Sequence, residues 1–269
     1  MAYHCSLDLL PIELLYNVFN YFSSQEILLS FTDLSDYITT VISSYPSYQW
    51  DFQAIRKSDF DLVCARIRPD QVISLTLSDD DETPGLSEAC LSRFPIEQFV
   101  HLRSLRLIEI EIDSLKLLFP DLHKLPQLRS LSFNSETIRR EYSDRNVDYA
   151  NESAQLKSLL SQTYSQVLPR LTHVDLYHSV DLATLTLPEL RHLKLSTFTN
   201  NELEMIFQKS RQLKSLDIAL HMNALDSEII VQANQLIRLK LKIESIRSTI
   251  LFRTTNLLFF SSRSTYFSR

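Results

Sequence analysis

One six-residue word constrains this chain more than any other feature. It reads leucine-x-x-leucine-x-leucine, with apolar substitutions, and it recurs seven times. The first four copies are Val72-Ile-Ser-Leu-Thr-Leu77, Leu102-Arg-Ser-Leu-Arg-Leu107, Leu128-Arg-Ser-Leu-Ser-Phe133 and Leu171-Thr-His-Val-Asp-Leu176. The last three are Leu190-Arg-His-Leu-Lys-Leu195, Leu213-Lys-Ser-Leu-Asp-Ile218 and Leu236-Ile-Arg-Leu-Lys-Leu241. Their starts lie 30, 26, 43, 19, 23 and 23 residues apart. Most of these offsets fall in or near the ~20–29 residue period of a strand, turn, helix, turn unit. No such unit can bury its own apolar face, so the units must stack and share a core.

The segments between words fit that unit. Glu202 to Phe207 and Asp226 to Val231 are amphipathic at helical spacing. The longest offset contains the polar stretch Asn134 to Gln155, read as an inserted loop, followed by a helix around Leu156, Leu159 and Leu160. Within each word, strand alternation sends the leucines inward and the intervening side chains to an open face. From that face Arg106, His173, Asp175, Tyr177, His192, Lys194, Arg238 and Lys240 are the candidate substrate-binding residues. Tyr, His and Arg are residue types enriched at protein contacts.

This pattern resembles the leucine-rich repeat family over about Gln71 to Glu244. It departs from the family at the turn after each word, where an Asn or Cys usually satisfies buried backbone groups. Here those positions are Asp80, Ile110, Glu136, Ser179, Phe198, His221 and Glu244. The expected array is therefore irregular and weakly curved.

The first fifty residues read differently. Pro11 stands where a helix begins, a position at which its missing N–H is not needed. Leu14, Leu15, Val18, Phe19 and Phe22 share one helical face. Ser23-Ser-Gln-Glu26 is a capping box that starts a second helix carrying Ile27, Leu28 and Phe31. Asp33 or Ser35 caps a third, through Tyr37, Ile38, Val41 and Ile42. Three short helices cannot bury this much apolar surface among themselves, so the surplus faces the rest of the chain or a partner.

The words Leu9-Leu-Pro-Ile-Glu13, Val18-Phe-Asn-Tyr-Phe22 and Gln25-Glu-Ile-Leu28 resemble the F-box family. Phe31-Thr-Asp-Leu-Ser35 departs from the family's third segment. In that family the module docks on the Skp-type adaptor of a cullin-based ubiquitin ligase. Carried over by position, the adaptor-binding residues would be Leu10, Pro11, Ile12, Leu14, Leu15, Val18, Phe22, Ile27 and Leu28. A helix laid in a groove needs apolar anchors at such spacing.

The fold class expected is α/β: a short N-terminal F-box helical module followed by an irregular leucine-rich repeat solenoid. The expected division is 1–50 for the helical module and 51–70 for a linker or first array helix. The repeats then occupy 71–246, and 247–269 forms an incomplete repeat or disordered tail. The function expected is a substrate-recognition adaptor of a Skp–cullin–F-box ligase that binds an unidentified protein. The alternative is a leucine-rich repeat scaffold for protein interactions without a ubiquitin role.

Catalysis, cofactors and metals are not expected. Gly85 is the single glycine, whereas phosphate loops, dinucleotide turns and the nucleophile elbow of hydrolases need several. The three cysteines, Cys5, Cys64 and Cys90, form no C-x-x-C pair, which fits a reducing compartment and no zinc site. The Asp79-Asp-Asp-Glu82 run reads as a solvated turn. A net charge of −6 argues against nucleic acid as partner. No signal peptide or membrane span is read, so a cytoplasmic or nuclear location is expected.

Overall fold

In a computed structural model, the described residues are 7–134, 148–176, 186–195, 200–220 and 237–243. The chain divides into two compact units, Met1–Leu128 and Arg129–Arg269. Both alternate helices with parallel strands.

The first unit opens with α1 (Ile12–Phe19), α2 (Ser24–Phe31) and α3 (Asp36–Ser44). Their starts follow the sequence chemistry. Pro11 precedes α1, and Ser23 caps α2 in a complete capping box with Glu26. Ser35, rather than Asp33, caps α3 by accepting from the Ile38 amide. Asp33 instead takes the left-handed conformation, φ 64°, in the turn before it.

Then follow β1 (Tyr48–Asp51), α4 (Lys57–Arg66), β2 (Val72–Ser78), α5 (Leu86–Arg93), β3 (Ser104–Ile108) and α6 (Ile112–Leu118). The three strands pair in parallel in the order β1-β2-β3. Parallel neighbours need crossover connections, and the helices supply them. Trp50, Leu75 and Leu105 form one inward rung, and Leu77 pairs with Leu107 below it. All five are buried.

β1 carries a word of the same spacing that is written in aromatics: Tyr45-Pro-Ser-Tyr48-Gln-Trp50, with all three rings buried. Trp50 packs against Phe52, Phe94 and Phe99 at centroid distances of 5.3, 5.6 and 5.5 Å. The sheet therefore begins inside the stretch assigned to the helical module. Most of the expected linker, 51–70, is α4 and a 3-10 turn.

The helical module is tied to this sheet by specific bonds. Ser24 Oγ donates to the Gln49 carbonyl at 2.6 Å. The buried Gln71 amide donates to the carbonyls of Ser43 and Tyr45, both at 2.9 Å. Gln25 also donates to the Asp59 carboxylate at 2.7 Å. Satisfying buried carbonyls in this way avoids a desolvation cost of about 1–3 kcal/mol each.

The second unit contains β4 (Ser130–Asn134), α7 (Asp148–Val167), β5 (His173–Leu176), β6 (His192–Leu195), α8 (Asn200–Lys209), β7 (Ser215–Leu220) and β8 (Arg238–Ile243). The strands pair in parallel in chain order. Leu131, Val174, Leu193 and Leu216 make one buried rung, and Phe133, Leu176, Leu195 and Ile218 the next. The first leucines of three words, Leu171, Leu190 and Leu213, are also buried. Each of the seven words thus contributes to a strand, and the first six bury their apolar positions. α7 begins at Asp148, so the expected inserted loop gives way to helix eight residues before Leu156. Glu202 to Phe207 lies in α8. Asp226 to Val231 and the tail lie outside the described residues.

Candidate functional site

Two surfaces carry the candidate residues, one on each unit. On the first, α1 presents two apolar faces where a single stripe was expected. Leu15 and Phe19, four residues apart, point inward and are fully buried. Phe19 packs edge-on to Phe31 at 5.2 Å and to Tyr45 at 5.4 Å. Leu14 and Val18, also four apart, point outward with 49% and 37% exposure. Phe22 lies in the turn after α1, also exposed, with one ring contact to Phe31 at 5.6 Å.

This sorting corrects the adaptor-binding list. Leu15, Ile27 and Leu28 are at most 3% exposed and belong to the unit's own core. They cannot touch a partner without unfolding the module. Pro11, Leu14, Val18 and Phe22 are exposed, while Leu10 and Ile12 are half-buried. Leu9, Tyr21 and Leu34 are exposed apolar residues that the sequence reading did not single out. Leu9 was legible as the extra leucine before Leu10-Pro11.

The second surface is the open face of β4 to β8. Its upper rung runs Ser130, His173, His192, Ser215, Arg238, and its lower rung Ser132, Asp175, Lys194, Asp217, Lys240. Together they line a shallow depression of about 260 Å³. The lower rung pairs within itself. Lys194 Nζ lies 2.8 Å from Asp175 Oδ2, and Lys240 Nζ 3.1 Å from Asp217 Oδ2. In the upper rung the His173 and His192 rings stack with centroids 4.3 Å apart and 10° between their planes. The Thr172 hydroxyl lies 2.8 Å from His173 Nδ1. Burial first, then His192 and Arg191, hold the His173 pKa below its ordinary value.

Six of the eight substrate-binding candidates therefore meet on one face: His173, Asp175, His192, Lys194, Arg238 and Lys240. Arg106 sits on the first unit's open face, in the rung Asp51, Thr76, Arg106. Tyr177 lies outside the described residues.

The acidic run does structural work where an open solvated turn was expected. Asp79 accepts from the Ser87 amide in the first turn of α5 at 2.8 Å, and from the Glu111 amide just before α6 at 3.1 Å. Asp80 occupies the position of the missing turn Asn. It accepts from the amides of Glu82 and Thr83 and from the Thr83 hydroxyl. Burial alone would raise its pKa, but these bonds, with those of Thr83 and Ser78 foremost, hold it low. Among the described residues no group of three or more His, Cys, Asp or Glu side chains is arranged to hold a metal. Also among them, no helix is long and apolar enough to cross a membrane.

The two units differ sharply in charge. Residues 1–128 hold 9 basic and 19 acidic side chains, a net −10, while 129–269 hold 18 and 14, a net +4. The whole-chain value of −6 conceals this division. No model of a known protein family matches the chain, and no curated protein matches it.

Proposed function

We propose that the chain is a non-catalytic adaptor of a Skp–cullin–F-box ubiquitin ligase. In this reading α1 to α3 form an F-box module that docks on the Skp-type adaptor. The strands from β2 to β8 are irregular leucine-rich repeats whose open face holds a protein substrate. Such a protein acts by raising the effective concentration of substrate near the ligase.

The outward apolar face of α1 carries the proposal. Leu14 and Val18 are four residues apart on a helix whose opposite face is already packed, and Phe22 lies beyond its end. Exposed apolar groups in that arrangement match the requirement for docking a helix in a groove. Were the helices only a cap on the repeats, these side chains would be expected against residues of the array. Their exposure favours an external partner instead.

The test is capture of the purified Skp-type adaptor by the full chain. Wild-type protein is expected to bind, and a Leu14→Asp, Val18→Asp double variant to lose binding while retaining its circular dichroism. No binding by wild type, or equal binding by the variant, would overturn the proposal.

A further inference from the structure

The open face of the second unit separates its charges by rung, and that separation indicates what it holds. Among the described residues lining the face, the two carboxylates, Asp175 and Asp217, lie in the lower rung and are engaged by Lys194 and Lys240. The upper rung carries only donors and proton acceptors: two hydroxyls, two imidazoles and one guanidinium. Among the described residues Arg238 has no carboxylate partner. The residues just before the upper rung add Arg191 and Lys214, both exposed. This end of the sheet thus gathers cationic side chains, in the half of the chain that carries the net +4.

We infer that the rung Ser130, His173, His192, Ser215, Arg238 seats an acidic segment of a partner protein, one carboxylate on Arg238 and another over the imidazole pair. This rests on the proposed reading of the repeat face as a substrate surface, and it names the chemistry of that substrate. Guanidinium binds carboxylate through two parallel hydrogen bonds. Two cationic rings stacked at 4.3 Å would repel, and a carboxylate held over the pair offsets that repulsion. The spacing also fits. From the middle of the imidazole pair to Arg238 is two and a half strand separations, about 12 Å, and same-facing residues four apart in an extended segment are about 13 Å apart. A continuous phosphate backbone fits less well, since Asp175 and Asp217 would face its charges. Among the described residues, the lining of the face holds no aromatic ring other than the histidines on which bases could stack.

The experiment measures fluorescence anisotropy of the full chain with three labelled probes. These are a short peptide of alternating glutamate and serine, its lysine counterpart, and a short single-stranded oligothymidylate. The glutamate peptide is expected to bind best, and both Arg238→Gln and His192→Gln to weaken it about tenfold. Lys116→Gln, on α6 of the other unit, is the control and leaves binding unchanged. The inference is overturned by any of three results. The glutamate peptide binds no better than the lysine peptide, both upper-rung variants bind it as wild type does, or the oligothymidylate binds as tightly and responds to the same variants. Capture of the Skp-type adaptor, measured on the same preparations, tests the ligase reading separately. Loss of one result leaves the other standing.

Discussion

His173 and His192 stack face to face at 4.3 Å across neighbouring strands of the second sheet. Burial comes first among the causes that depress the His173 pKa, and the neighbouring imidazole second. In a two-dimensional NMR titration, His173 is expected to titrate below 6.5, its ordinary value. The variant His192→Gln should move it upward while leaving it short of that value. The sign for stability follows. The unfolded chain binds this proton more tightly, so the contribution is fully present above 6.5 and is lost as pH falls through the folded value. An unchanged His173 titration in the variant would refute the coupling.

The two faces of α1 should separate stability from surface chemistry. Leu15→Ala empties a fully buried site and is expected to cost roughly 2–5 kcal/mol. Leu14→Ala, one residue earlier but half-exposed, should change stability by less than about 1 kcal/mol. Urea denaturation followed by Trp50 fluorescence reports both, because Trp50 is the chain's single tryptophan and is buried in the same unit. Equal costs would contradict the orientation of the helix.

Gln71 bridges the helical module and the sheet from a buried position. Its amide donates to Ser43 and Tyr45, and its oxygen accepts from the Arg68 amide at 3.1 Å. Gln71→Leu keeps the volume but strands three backbone groups, a loss of about 2–4 kcal/mol. Hydrogen exchange should then show faster opening at the end of α3. Wild-type protection there would argue that water replaces the amide.

The capping box of α2 makes a pH-dependent contribution. The Glu26 carboxylate accepts from the backbone amide and the hydroxyl of Ser23, and these bonds lower its pKa from 4.5. Its contribution is present above 4.5 and disappears as pH falls through the folded value. Ser23→Ala should lower stability by about 1 kcal/mol at neutral pH. The gap between the thermal melts of Ser23→Ala and wild type should narrow in acid, as the hydroxyl's bond to the carboxylate is lost, and keep the part due to the hydroxyl accepting from the Glu26 amide. A gap independent of pH would count against the carboxylate's half of the box.

Much of this architecture was legible because leucine words mark their own strands. The seven words are β2 to β8, and the polar positions from Arg106 to Lys240 alternate onto the open faces, whereas Thr76 in β2 is buried. β1 escaped because its word uses Tyr45, Tyr48 and Trp50, which a search for leucine passes over, although its spacing is the same. The faces of α1 were harder. Leu14 and Leu15 are chemically alike, and only the positions of Phe31 and Tyr45 decide which is buried. The roles of Asp79 and Asp80 were equally hidden. Local charge reads as solvation, whereas the amides they accept, at Ser87 and Glu111, are brought to Asp79 by the return of the chain. On the second face, the candidates came from alternation alone, but the sorting of acids into one rung depends on strand register.

The bonds that join Ser24 to Gln49 and Gln71 to Ser43 and Tyr45 bear on how a deletion would be interpreted. Removing the first three helices would not yield a receptor lacking only its tether. It would strip a covering from an edge strand, leave the Gln49 carbonyl without its donor and take the Ser43 acceptor from the Gln71 amide, inviting edge-to-edge aggregation. A truncated chain that failed in cells would then report misfolding rather than lost recruitment. Point changes at Leu14 and Val18, which leave those bonds in place, are the informative perturbation.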